Sequence, residues 1–217
     1  MSQPEVLFEE DFSDEQLDLK NTWKLEGTGR AWIEGNSVAL QEEPAGQGVV
    51  LWLRRDLPSD LCLEFDLSFS NNRGIGVFFL AAKGTQGEDI LEDLPPRTGA
   101  YPEYTSDRIN CYSFSVHRFF PDGRHNEGTN IRRNSGFNLV NHVEPDPVME
   151  AERPCRLRVE KVGPQLRVWV DGELVHHWTD NGEYGEPLGG GKVGFRLRAD
   201  DSCVMYVSNA RITKPDV

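Results

Sequence analysis

Period-two alternation recurs along this chain and narrows its fold more than any other feature. In Leu61-Cys62-Leu63-Glu64-Phe65-Asp66-Leu67-Ser68-Phe69 every second residue is apolar and the rest are small or acidic, the pattern of a strand buried on one face. Ile75 to Ala82 is apolar on both faces, which predicts a central strand covered on both sides or lining a shielded groove. From Arg156 to Trp178 the pattern reads as three meandering strands, turning at Val162-Gly163-Pro164 and again at Asp171-Gly172. Asp-Gly favours the left-handed dihedrals of a tight hairpin. Val193, Phe195 and Leu197 alternate with Gly194, Arg196 and Arg198, and a further strand is expected from Val204 to Ile212.

No segment carries a long apolar pattern at helical spacing, a linker rich in Pro, Gly or Ser, or an internal repeat. The chain therefore predicts one all-β domain over residues 1–217, two antiparallel sheets packed face to face as a β-sandwich. Its predicted core contains Leu63, Phe65, Leu67, Val77, Phe79, Val168, Val170, Phe195 and Leu197. With 37% hydrophobic and 27% charged residues such a core can form.

A formal net charge of −13 opposes general attraction to nucleic acid or to an anionic membrane. No apolar run approaches the roughly 20 residues that span a bilayer. The opening Met1-Ser2-Gln3-Pro4-Glu5 lacks the charged-then-apolar pattern of an export signal, so a cytoplasmic location is expected. Cys62, Cys111, Cys155 and Cys203 lie tens of residues apart, without the close pairs of a zinc or thioredoxin-like site, and read as buried thiols.

The pieces Phe8-Glu9-Glu10-Asp11-Phe12-Ser13, Met205 to Ile212 and the Val168 to Val175 hairpin resemble those of concanavalin-A-like jelly rolls, in which the first and last strands lie together. More specific words are Gly87-Glu88-Asp89-Ile90, Arg97 to Tyr104, Ile109-Asn110-Cys111-Tyr112 and Ile131 to Val140. Through these the chain resembles the YesU-like family, which is associated with pectin-type polysaccharide use. The resemblance implies a sugar-binding face and a uronate-containing polysaccharide or oligosaccharide as ligand. It does not choose a chemistry, because one fold hosts lectins, hydrolases and lyases.

The residues that bear on chemistry follow from the strand at Asn110 to Arg118. Alternation places Tyr112, Phe114 and Val116 on one face and Cys111, Ser113, Ser115 and His117 on the other, too polar for a core. Ser113, Ser115 and His117 are thus expected to face a groove. Arg118, Arg132, Arg196 and Arg198, with Asn130 and Asn134, are the types a uronate carboxylate needs, since a forked guanidinium supplies two charge-assisted hydrogen bonds. Trp178 is a candidate aromatic platform, beside Trp52, Tyr101, Tyr104 and Tyr184.

Uronate lyase chemistry requires a proton-transfer group, for which His117, Tyr101 and Tyr104 are the candidates, with His142 in reserve. Hydrolysis requires two carboxyl groups, and the one suitably spaced strand pair, Glu64 and Asp66, lacks a third acid of the laminarinase-like motif, so a lyase is favoured over a hydrolase. The alternatives are a non-catalytic lectin-like module and a structural interaction protein. No cofactor is required. Asp11, Asp180, Asp200 and Asp201 are candidates for a structural calcium ion.

Overall fold

A computed structural model describes residues 4–106 and 108–215; Met1 to Gln3, part of the opening segment considered for an export signal, lie outside them. In chain order the strands are β1 (Val6–Glu10), β2 (Trp23–Gly27), β3 (Gly29–Glu34), β4 (Ser37–Glu42), β5 (Val49–Leu53), β6 (Leu61–Phe69) and β7 (Gly74–Gly84). A single helical turn, α1 (Pro102–Thr105), precedes β8 (Ile109–Val116), β9 (Thr129–Asn134) and β10 (Asn138–Val143). There follow β11 (Cys155–Val162), β12 (Gln165–Val170), β13 (Glu173–Thr179), β14 (Lys192–Ala199) and β15 (Val204–Thr213).

The strands form two antiparallel sheets. One runs β13-β12-β11-β6-β15-β4-β3 with β1 added against β15, so the first and last strands do lie together. The other, which bears the site, runs β10-β9-β8-β7-β14-β5-β2. Between them lies the principal core. Leu63, Phe65 and Leu67 of β6 and Val168 and Val170 of β12 meet Phe78, Phe114, Phe195 and Leu197 there, with Phe65 packed edge-on against Phe195 at 5.2 Å. All four cysteines are free and buried, and desolvation pushes the Cys111 thiol up to about 12.

Val77 and Phe79 correct the expected core. Both are buried, but they point away from the partner sheet and belong to a second apolar cluster with Val50, Trp52, Ile90, Tyr104 and Cys111. Residues 85–106, between β7 and β8, fold back over the outer face of the site-bearing sheet and create this layer. Trp52 and Tyr104 stack against Phe79 at 5.2 and 5.6 Å. Ile75 to Ala82 is apolar on both sides because β7 is covered from both sides.

Two contacts hold the covering segment down. Arg97 forks onto Glu26 Oε2 with 2.7 and 2.9 Å hydrogen bonds and donates to the Ile90 carbonyl at 2.9 Å. Glu26 also accepts from Trp52 Nε1 at 3.0 Å. At the second contact, Gly99, Gly48 and Gly27 bring three backbones together at positive φ; a Cβ on Gly99 would sit inside the van der Waals shell of the Gly48 carbonyl oxygen.

Candidate functional site

Where the covering segment ends, the outer face of the sheet opens into a cleft with a volume of about 390 Å³. Its floor is a row of residues in register across four strands: Asn130 on β9, Ser115 on β8, Val77 on β7 and Arg196 on β14. Because facing partners in an antiparallel sheet share a face, this register presents all four on one side. Arg132, one alternation along β9 and opposite Ser113, Arg118 and Arg198 complete the polar lining. Tyr101, Pro102 and Phe137 form one wall.

The charge of the cleft runs against that of the whole protein. Among the described residues four guanidiniums line it and no aspartate or glutamate does. Glu42 neutralises Arg198 through a 2.5 Å contact, whereas Arg118, Arg132 and Arg196 have no carboxylate on their guanidinium groups among the described ion pairs. Burial lowers the pKa of each of these three from the ordinary arginine value. A guanidinium stays charged at neutral pH nonetheless, so among the described residues these three cations have no carboxylate within ion-pair distance.

Each cation is aimed by backbone carbonyls. Arg196, 2% exposed, donates to the Gly99 and Gln47 carbonyls at 3.0 and 2.9 Å and lies 4.8 Å from the centroid of the Tyr101 ring. Arg132 donates to the Phe137 carbonyl at 2.8 Å, its guanidinium 3.7 Å from that ring's centroid. Arg118 donates to the Glu127 carbonyl at 2.9 Å. With the Asn130 amide oriented so that donors meet acceptors, its Oδ1 accepts from Arg118 at 3.2 Å and its Nδ2 donates to His142 Nδ1 at 2.6 Å. His142 Nε2 in turn meets Glu144 at 2.8 Å, at the exposed rim.

The profile of the family described as Domain of unknown function (DUF1961) matches residues 5–203. The chain belongs to the DUF1961 family. It is 31% identical over 188 residues, 84% of each chain, to the uncharacterized protein YesU of Bacillus subtilis (strain 168). A Bacillus subtilis protein of unknown function with a galectin-like fold superposes with a TM-score of 0.87 at 27% identity over 99% of this chain and 98% of that one. The carbohydrate recognition domain of Emp46p (TM-score 0.69, 13% identity, all of both chains) and the carbohydrate binding module CBM66 from Bacillus subtilis (0.58, 14%, 89% and 96%) share the fold.

Within this DUF1961 structure the candidates divide. Ser115, Arg118, Asn130, Arg132 and Arg196 line the cleft with Tyr101. Ser113 lies beneath them, 2% exposed and 3.3 Å from the Tyr101 hydroxyl, and it accepts a 3.0 Å bond from Asn134. Asn134 is wholly buried, so it supports Ser113 and does not reach the cleft. Tyr101 is, besides the arginines, the one titratable group among the described lining residues. Desolvation raises its pKa, against the opposing hydrogen bond from Ser113 and the fields of Arg196 and Arg132.

Three candidates are corrected. His117 is fully buried with φ +50°, a left-handed conformation that breaks the alternation of β8 at its last step. The ring turns into the principal core, 2.9 Å from the Val148 carbonyl and 3.0 Å from that of Asn71. Arg118 takes the outward position instead. Tyr104 is fully buried against Trp52 and Phe79 in the second apolar layer. Trp178, on β13 of the opposite sheet, packs edge-on against Tyr112 at 5.9 Å and belongs to the inter-sheet core.

The acids are elsewhere too. Glu64 and Asp66 lie on the outer face of the other sheet, ion-paired with Arg156 at 3.9 and 3.2 Å. Asp180 accepts from the Tyr112 hydroxyl at 2.6 Å, Asp200 from Ser202 and Arg73, and Asp11 from the Ser13 amide. Among the described residues no three His, Cys, Asp or Glu side chains form a group that could hold a metal ion. Gln47, Pro102 and Phe137 were not singled out from the sequence. Phe137, in the Ser135-Gly136-Phe137 turn, was the most legible of them, as an apolar ring set among polar loop residues.

Proposed function

We propose that this protein binds an acidic saccharide, with a uronate carboxylate held by Arg118, Arg132 and Arg196 in the cleft over β8, β9 and β14. The observation that carries this reading is a cleft whose described lining has four arginines and no acid, in a chain of net charge −13. Cations without a carboxylate in ion-pair distance on a half-buried surface favour a ligand that brings its own negative charge. Asn126, Asn130, Gln47 and Ser115 add the neutral donors and acceptors that hydroxyl groups require. The names of two proteins sharing the fold, a carbohydrate recognition domain and a carbohydrate binding module, support a saccharide over other anions.

Calorimetry with trigalacturonate and with the neutral trigalactose tests the reading. Binding of the acidic trisaccharide alone, weakened by added salt and lowered about 10- to 100-fold in Arg132→Ala, is the expected result. Equal binding of both sugars, or an unaffected Arg132→Ala variant, would overturn it.

A second reading, cleavage by a lyase, draws on the position of Tyr101 between Arg196 and Arg132. There the phenol would move the proton while the arginines stabilise the carboxylate's developing charge. Two-carboxylate hydrolysis draws no support from the described lining residues, none of which is an acid. Ultraviolet absorbance of an unsaturated uronate, present in the wild type and lost in Tyr101→Phe, would separate lyase from lectin.

A further inference from the structure

Phe137 is the least economical residue of the cleft wall. Its ring is 45% exposed and its backbone has φ +58°, a conformation bulky side chains seldom adopt. The turn that carries it separates the arginine cleft from a second cavity of about 310 Å³, formed by Tyr101, Pro102, Thr105, Ser106, Gly136 and Phe137. The two cavities share Tyr101, Pro102 and Phe137 as walls, so they adjoin, and an extended occupant laid across Phe137 would touch both. One end is cationic and rich in hydrogen-bonding groups; the other is a small apolar shelf of two aromatic rings and a proline.

From this continuity we infer that the second cavity is a subsite for the neighbouring pyranose of an acidic oligosaccharide, its C–H face resting on Phe137. The inference rests on the acidic-saccharide reading of the cleft. A pyranose has the mixed character the two cavities require: hydroxyls around its edge and an apolar patch of C–H groups on one face. Aromatic rings bury such patches at low conformational cost. Arg132 links the two halves, since it donates to the Phe137 carbonyl and lies over the same ring. A carboxylate on Arg132 therefore sets the next ring of the chain beside Phe137, and a single uronate leaves the shelf empty.

Calorimetry with galacturonate, trigalacturonate and decanoate on the wild type, Phe137→Ala, Phe137→Leu and Arg132→Ala tests this. In the wild type trigalacturonate is expected to bind about tenfold more tightly than galacturonate. Phe137→Ala should weaken trigalacturonate more than galacturonate, so that the ratio between the two falls toward one, with Phe137→Leu between wild type and Phe137→Ala. Equal affinity for the two sugars in the wild type would overturn the subsite and leave the arginine cleft standing. Equal losses for both sugars in Phe137→Ala would show that Phe137 only positions Arg132, and tightest binding of decanoate would show that the shelf takes an alkyl chain. No response to either sugar, or an Arg132→Ala variant that binds both as the wild type does, would remove the cleft reading and the subsite with it.

Discussion

The imidazole of His117 lies face to face with the ring of Phe69, centroids 4.0 Å apart and planes 7° from parallel. This contact joins the end of β8 to β6 of the opposite sheet and takes a polar side chain out of the outer face. His117→Ala is expected to destabilise the fold by about 2–4 kcal/mol, through a cavity and a buried carbonyl left without its donor. The folded variant should bind saccharide as the wild type does. Urea unfolding beside calorimetry checks both, and loss of binding at unchanged stability would return His117 to the site.

His176 makes stability depend on pH with a defined sign. It is fully buried between Asn141 and Thr129, and desolvation lowers its pKa to about 4. Between about pH 6.5, where an unfolded histidine titrates, and pH 4, the unfolded chain takes a proton that the folded protein refuses. The stabilisation is present in full above about pH 6.5 and is lost as pH falls toward 4, on the order of 3 kcal/mol across the window. Burial lowers the pKa of His117 as well, which adds a term of the same sign. Unfolding curves from pH 7 to pH 4.5 should show this slope, and His176→Gln should flatten it relative to the wild type.

Arg132 and Arg196 should separate binding from folding. Arg132 bonds one carbonyl on an exposed turn, so its loss should lower acidic-saccharide affinity with little change in unfolding midpoint. Arg196→Met should lower both, because the buried Gly99 carbonyl loses the donor that holds the covering segment over the sheet. A midpoint unchanged by Arg196→Met would refute this division.

Gly99→Ala tests the anchoring of that segment. The added methyl meets the backbone of Gly48, which cannot yield as a side chain would, at a φ of +99° that disfavours alanine. A loss of roughly 2–4 kcal/mol and weaker saccharide binding are expected together. Proteolysis should then cut preferentially between residues 85 and 106. An alanine variant of wild-type stability would show that the three-glycine contact is dispensable.

Much of this arrangement was legible in the chain itself. Period-two alternation over Leu61 to Phe69, the Asp171-Gly172 hairpin and the alternating run from Val193 to Arg198 are local signals, because a strand repeats every two residues wherever it lies. Alternation also placed Ser113, Ser115, Arg196 and Arg198 on one side of their strands, and composition drew notice to the arginines that now line the cleft.

Tertiary structure alone decided the rest. That Val77 and Phe79 lie under the covering segment, outside the inter-sheet core, depends on where residues 85–106 fold back, which neither strand records. A single left-handed residue at His117 put its ring in the core and left the outer face to Arg118, since one step out of phase exchanges the faces of a strand. The arginines of β9 and β14 became one site only because β7 and β8 pair between them in register, and the field they share depends on acids of Glu42's kind lying beneath or beyond the cleft. Local pattern determines which way a side chain points; which other side chains it meets is set by pairings between residues far apart in the chain.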